Sequence, residues 1–536
     1  MLFLILATLA TWVALAAFDR VPHLAGLRAW IGNLLDGQAA IVKGFLFSTA
    51  LSLWLVWIIG TFGGPHDLQG FAIVILVIWI GVPFLITRFI APLMDRDEHG
   101  SAHLMTNRET AAWAEESEKP GLLLGRSLDK KPRDLKYTGD AHLISIAPSR
   151  SGKGVSAIIP NLLTYPGSVL VVDPKGENAR VTARRRSEIG KTYILDPFGT
   201  TGLSTASYNP LSRITVNNPD AIDDAAALAD ALVVRASDGD NHWDDEAAAL
   251  LEGMILFVAL HEAPDRRHLG TLRELITEGP DKFVQILDVM KDCGGLVERT
   301  ANRFISKSDR EASSVLSTAQ RHTKFLDSER MTKVLGSAAG LSFRELKRNS
   351  GTSIFLCIPP DRLDTYGRWL RLMVNEALLD MVAEPTKPDL SVLFLLDEFA
   401  ALGQLQSIKR AMGLMAGYGM RLWPFLQDLS QLKATYGEAA QTFFANAGAI
   451  QWFGVNDIET AKQVSETIGQ TTVLMHERDG DTKSHGRNLI TPDELMTMDD
   501  GKQIIMLQGK RPALTWKIRY YDDPVFTGMW DVDLRR

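Results

Sequence analysis

The stretch that decides the fold is Ala147-Pro148-Ser149-Arg150-Ser151-Gly152-Lys153-Gly154-Val155-Ser156. It follows a short apolar run at 142–146 and leads into residues with helical spacing. A strand, a turn of small residues and a helix start form the layout of a phosphate loop, Gly-x4-Gly-Lys-Ser/Thr. Two positions depart from it: Ala147 stands at the first glycine and Gly154 at the hydroxyl residue. Gly152 lets the backbone curl so that N–H groups converge on phosphate oxygens, and the helix start adds its positive end. Ser149, Arg150, Ser151, Gly152, Lys153, Gly154 and Val155 are the candidate nucleotide-binding residues, with Lys153 reaching the β- and γ-phosphates. Gly154 offers no oxygen to Mg2+, so the ion needs an acid from elsewhere.

That acid lies at Leu393-Phe394-Leu395-Leu396-Asp397-Glu398, an apolar strand ending in two carboxylates. With a phosphate loop upstream, Asp397 is the expected Mg2+ ligand, directly or through water. Glu398 is expected to orient and polarise the attacking water, because phosphoryl transfer depends on positioning more than on covalent chemistry. Taken alone, an Asp-Glu pair after a strand also serves as a turn or helix cap. Gln427 ends the next apolar run and is the candidate γ-phosphate or water sensor.

Seven short apolar runs share this design, at 142–146, 168–172, 192–195, 353–358, 391–396, 422–426 and 449–453. Each is bounded by turn or polar residues, as buried strands of a mostly parallel sheet are. Ligands of such sheets bind beyond the carboxyl ends of the strands, where these polar residues collect. Between 217 and 348 the pattern turns helical, with expected helices at 221–234, 244–261, 272–278, 282–293 and 313–325. The chain thus reads as α/β: a P-loop nucleotide-binding domain in two parts, 96–216 and 349–536, around an inserted all-α domain at 217–348. Residues 477–487 read as an exposed loop.

Composition narrows the function classes. The 536 residues carry a net charge of -7, which excludes a basic protein coating nucleic acid and confines any DNA contact to local patches. The best such patch is Arg184-Arg185-Arg186, for which a solvated helix face is the plain alternative. Two cysteines exclude a disulfide framework and a cysteine zinc module, and the eleven histidines show no ligand spacing.

Residues 1–95 read as a membrane anchor. Apolar runs at 2–18, 44–62 and 71–90 approach or reach the roughly 20 residues of a membrane span. The first lacks the basic start of a signal peptide. Arg20, Arg28 and Lys43 lie in the first connection and none in the second. Positive-inside counting therefore puts the N-terminus outside and everything after residue 90 inside.

Taken together, the motifs resemble the VirD4/TraG type IV coupling proteins. The resemblance is carried by Ala147 to Asn161, Asp173-Pro174-Lys175-Gly176-Glu177-Asn178, Asp196-Pro197-Phe198 and Tyr208-Asn209-Pro210-Leu211. Pro359 to Leu363, Leu396 to Gly403, Gln427 to Leu432, and the segments 488–495 and 517–526 extend it over about residues 100–526. Glycine after the loop lysine is usual in that family. The resemblance implies a RecA/FtsK-like motor that binds and hydrolyses ATP with Mg2+, and a homo-hexamer on the inner face of a bacterial inner membrane, in contact with its lipids. It implies relaxase-bound single-stranded DNA or effector proteins as cargo, and inner-membrane components of a secretion channel as partners. Family members often have two spans, where this sequence reads as three. Arg362, Arg368 and Arg371 are unranked candidates for an arginine finger. The alternatives are a nucleotide-binding receptor with little hydrolysis and a septal-type double-stranded DNA translocase. No winged-helix segment follows Phe526 to support the latter.

Overall fold

The computed structural model describes residues 99–235, 241–336, 340–414, 416–476 and 482–533. The three apolar runs expected to cross a membrane lie outside the described residues. Among the described residues no helix is long and apolar enough to cross one.

Thirteen strands are described. They are β1 (Leu122–Arg126), β2 (Asp134–Tyr137), β3 (His142–Ile146), β4 (Val169–Val172), β5 (Thr192–Leu195), β6 (Ser353–Leu356) and β7 (Val392–Leu396), then β8 (Met420–Leu426), β9 (Ala447–Trp452), β10 (Gln470–His476), β11 (Thr482–Asn488), β12 (Lys502–Leu507) and β13 (Ala513–Trp516). The larger compact unit takes in His103–Ile468 and the chain from Ile490 onward. Its sheet has eleven strands in the order β2-β1-β13-β12-β9-β3-β8-β7-β4-β6-β5. From β9 to β5 every neighbour is parallel. These seven strands are the seven runs expected from the sequence. β3, β4, β6, β7 and β8 are buried at every residue, as continuous apolar strands must be when both faces are covered. The remaining four strands pair antiparallel at one side. In β1, Leu122 and Leu124 join one apolar cluster and Leu123 another, so alternation along the strand feeds a core on each face.

Between β5 and β6 the described chain has no strand. Helices run over Ala221–Leu232, His242–His261, Leu269–Ile276, Pro280–Asp292, Gly295–Ile305, Asp309–His322 and Glu329–Leu335. The helices at 295–305 and 329–335 were not among those expected. The central helix His242–His261 is apolar nearly all round and buries eleven residues among its neighbours. Buried charge ties this helical segment to the sheet's long helix Leu363–Ala383. Arg213 reaches Glu376 at 3.2 Å and Asp224 at 3.3 Å, and the Tyr208 hydroxyl donates to Glu376 at 3.1 Å. About two turns back along the same helix, Arg368 donates to His322 Nδ1 at 2.6 Å, and His322 Nε2 meets Asp244 at 2.8 Å. Cys357 is buried and Cys293 partly so.

The smaller unit includes Gly469–Leu489 and the chain up to Ala102. Its described part is an antiparallel hairpin of β10 and β11, paired from Gln470–Asn488 to His476–Thr482. Gly100 and Ala102 bond its first strand through the backbone. Most of the loop expected at 477–487 is therefore strand β11; the rest, 477–481, lies outside the described residues. The run Thr-Lys-Ser-His-Gly-Arg-Asn is polar on both faces, so its pairing leaves no hydrophobic alternation in the sequence to read.

Candidate nucleotide site

The phosphate loop leaves the carboxyl end of β3 and turns twice through backbone that disfavours a side chain. Arg150 has φ 63° and Gly152 φ 90°. Glycine meets the second demand without strain; Arg150 accepts it, as residues at ligand loops do. A π-helical turn over Gly154–Ile158 follows, then the helix Ile159–Thr164. A side chain built at Gly154 would meet nothing within 4 Å, so no neighbour in the chain requires glycine there. Ser151 Oγ is buried and has no hydrogen-bond partner among the described residues, which fits a loop shaped for an anion.

Sheet order explains why residues far apart in sequence meet. Strand β8 lies between β3, which carries the loop, and β7, which carries the two acids. Lys153 Nζ bridges both carboxylates, 2.8 Å from Asp397 and 3.1 Å from Glu398. Burial alone would lower the lysine's pKa; the two carboxylates outweigh it, and the net shift is upward. Gln427, ending β8, donates from Nε2 to Glu398 Oε2 at 3.3 Å. Glu398 itself sits at φ 54°. That left-handed turn costs about 1–3 kcal/mol in a non-glycine residue and persists only where packing fixes it. Here the fixing residues are Phe399 and Leu402, both buried, and Arg371, whose guanidinium donates to the carbonyls of Leu402 and Gln404.

The structure thus brings together Lys153, Asp397, Glu398 and Gln427, with Ser149 to Val155 as the surrounding loop. It does not bring Arg184, Arg185 and Arg186 to this point. Those three lie on the helix Glu177–Ile189 and have separate fates. Arg186, expected on a DNA-facing patch, is fully buried and cannot contact a strand. Its guanidinium donates to Ser353 Oγ and to the carbonyls of Leu162, Tyr165, Gly167 and Gly351. The reason is its place on the helix: it faces the sheet, while its two neighbours turn outward. Arg184 pairs with Glu188 at 3.0 Å and Asp531 at 2.7 Å, and Arg185 with Glu188 at 2.8 Å. Of the finger candidates, Arg368 and Arg371 are engaged within the chain, and Arg362, about half exposed, pairs with Asp361 at 3.2 Å and lies 6.0 Å from the Phe198 ring.

Two residues near the site had no role in the sequence reading. Asp173 ends β4, beside β7, and its pKa is raised to about 7, first by burial and then by the charge of Asp397, against the N–H of Ala179. It accepts from Ala179 N at 2.8 Å and holds the start of the next helix. Lys517 touches the phosphate loop from its other side, donating from Nζ to Ser151 O at 3.1 Å. Both lie in segments that carry the resemblance, but neither has motif spacing of its own.

The type IV secretory system conjugative DNA transfer family profile matches residues 95–531. The chain belongs to that family. It is 27% identical over 492 residues to VirD4 of Rhizobium rhizogenes, spanning 86% of this chain and 71% of the relative. It is 28% identical over 453 residues to the conjugal transfer protein TraG of Escherichia coli, spanning 73% of this chain and 69% of TraG. Among solved structures it is similar to the conjugative coupling protein TrwBdeltaN70, with TM-score 0.62 and 18% identity over 78% of this chain and 92% of that one. TrwB in complex with ADP and Mg2+ aligns with TM-score 0.61, 18% identity, 78% of this chain and 94% of that one. The sheet is that of a P-loop coupling-protein fold.

Proposed function

We propose that this member of the conjugative DNA transfer family is a coupling protein that hydrolyses ATP to deliver relaxase-bound single-stranded DNA, effector proteins or both to a type IV secretion channel. It works as a homo-hexamer at the bacterial inner membrane, with residues 1–95 as its multi-pass anchor and the P-loop domain on the cytoplasmic side. The observation that carries this reading is the convergence of Lys153, Asp397, Glu398 and Gln427 around one phosphate loop. Similar folds described with an ATP analogue and with ADP and Mg2+ support it.

Mg2+ supplies charge neutralisation on the phosphates when bound, and Asp397 is the residue that would hold it. Lys153 exchanges one or both carboxylates for phosphate oxygens. Glu398, freed from the lysine, faces the water that attacks, and Gln427 fixes its carboxylate in place. The loop from Ser149 to Val155 binds through backbone N–H groups, which stay neutral donors and do not ionise near neutral pH.

The test is Lys153→Ala in the full-length protein. Nucleotide affinity is expected to fall by about two orders of magnitude, as charge-assisted contacts worth ~3 kcal/mol disappear. Lys153 belongs to neither apolar cluster at the sheet, so the melting temperature should stay near that of wild type. Unchanged nucleotide affinity, by equilibrium titration, would remove the assignment.

The DNA contact narrows to Arg184 and Arg185, whose outward heads would trade Glu188 and Asp531 for phosphates. Replacing both with Ala should flatten the salt dependence of single-strand binding by at most two contacts, with a slope of about 0.7 per contact. An unchanged slope would leave them as an acid-neutralised helix face.

A further inference from the structure

We propose that Lys517 is a positioning residue of the nucleotide site, holding the Ser151 carbonyl turned away so that the loop presents its N–H groups to the phosphates. The proposal rests on the nucleotide reading of the site. Any carbonyl at the crest of a phosphate loop is a hazard, because its oxygen repels the anion that the neighbouring N–H groups attract. Lys517 removes that hazard. It follows β13, where its own N–H is tied to Gly501 O at 2.8 Å, and its Nζ takes the Ser151 carbonyl at 3.1 Å. Its ammonium lies 5.3 Å from the ring centroid of Phe453. Phe453 is itself buried and donates its N–H to Ile146 O at 2.9 Å, the last residue of β3 before the loop. The strand that launches the loop, the ring under the ammonium and the carbonyl above it are therefore one connected assembly. Lys153 leaves the loop toward the acids; Lys517 approaches from the side of the antiparallel strands, so the loop is gripped on two sides.

The character of the contact argues for a role beyond packing. Among the described residues Lys517 makes no salt bridge, although it is partly buried. Its direct acceptors are instead a backbone carbonyl and an aromatic face, so its positive charge, offset only from beyond salt-bridge distance by Asp500 and Asp499, stays beside the loop. Burial lowers its pKa to about 8, with Arg519 acting in the same direction and Asp500 and Asp499 against it. The ammonium is thus charged at neutral pH and loses its proton as pH rises through 8. If its charge helps the loop hold phosphate, affinity is full below pH 8 and falls above it.

The experiment is titration of full-length wild type, Lys517→Met and Lys517→Arg with a fluorescent ATP analogue and Mg2+, at about pH 7 and about pH 9. At the lower pH, Lys517→Met should bind about tenfold more weakly, the loss of one charge-assisted hydrogen bond. Wild type should lose much of the same factor between the two pH values. Lys517→Arg keeps its charge and should bind within about twofold of wild type at the lower pH, with little change at the higher. Should Lys517→Met not fold, the pH profiles of wild type and Lys517→Arg decide alone. Wild-type binding that Lys517→Met preserves overturns this proposal and leaves the nucleotide reading intact. Identical pH profiles for wild type and Lys517→Arg also overturn it. A wild type that binds no nucleotide overturns both.

Discussion

Glu398→Gln should bind nucleotide like wild type and hydrolyse it about a hundred- to a thousandfold more slowly, the range seen when a water-positioning base is neutralised. The substitution keeps the shape of the side chain and its reach to Gln427, and the left-handed backbone at 398 is no harder for Gln than for Glu. What changes is the charge. Glu398 contributes one of the two carboxylates at Lys153 Nζ, at 3.1 Å, so the variant leaves the lysine freer for phosphate. Binding should hold or tighten while turnover collapses. Single-turnover ATP hydrolysis beside an equilibrium titration separates the two. Turnover near the wild-type rate would place the attacking water under another residue and leave Glu398 a structural partner of Lys153.

Arg186→Ala should destabilise the protein by about 3 kcal/mol or more and lower its melting temperature by roughly 5 °C. Five acceptors, four of them carbonyls, converge on a guanidinium with no exposed surface. An arginine has five N–H groups in a fixed fork, and here each acceptor finds one of them. Removal leaves buried oxygens without donors where the helix Glu177–Ile189 meets β6 and the loops before β4. Burial has lowered the pKa of this arginine to about 10, with Tyr165 and Arg185 as smaller and opposing influences. Arg186→Lys should rescue only part of the loss, because one ammonium cannot span the five. A melting temperature within a degree of wild type would show that water replaces the guanidinium.

Sequence patterning reached the centre of the fold and missed its margins for one physical reason. Five of the seven parallel strands are buried at every residue and the other two nearly so or in half, so each appears as a largely apolar run with a polar stop. Ala513–Trp516 and Asp134–Tyr137 alternate or mix, and they are short, so no comparable run marks them. In the site, Asp397, Glu398 and Gln427 were legible because each directly follows an apolar strand, and Lys153 because it sits in the phosphate-loop motif. Sheet order, which the sequence does not state, is what puts Gln427 between the other two strands. Lys517 was not legible as a site residue, since its contact is with a backbone oxygen that any residue at 151 would supply. Arg186 was misread for the complementary reason: three consecutive arginines on a helix point in three directions, and a charge count does not say which one faces inward.

The antiparallel side of the sheet has a consequence for how the protein is made. β1 and β2, at residues 122–137, join the other strands only through β13, at residues 513–516. Strands that leave the ribosome early must therefore wait for strands that leave it late. At roughly 5–20 residues per second, the interval between them lasts some tens of seconds. Throughout it β1 and β2 stand as a bare hairpin, and in its last few seconds the edge of β9 that β12 will occupy is open as well. The parallel strands around the phosphate loop can assemble before synthesis ends. The lysine behind that loop, with the two strands that deliver it, comes last.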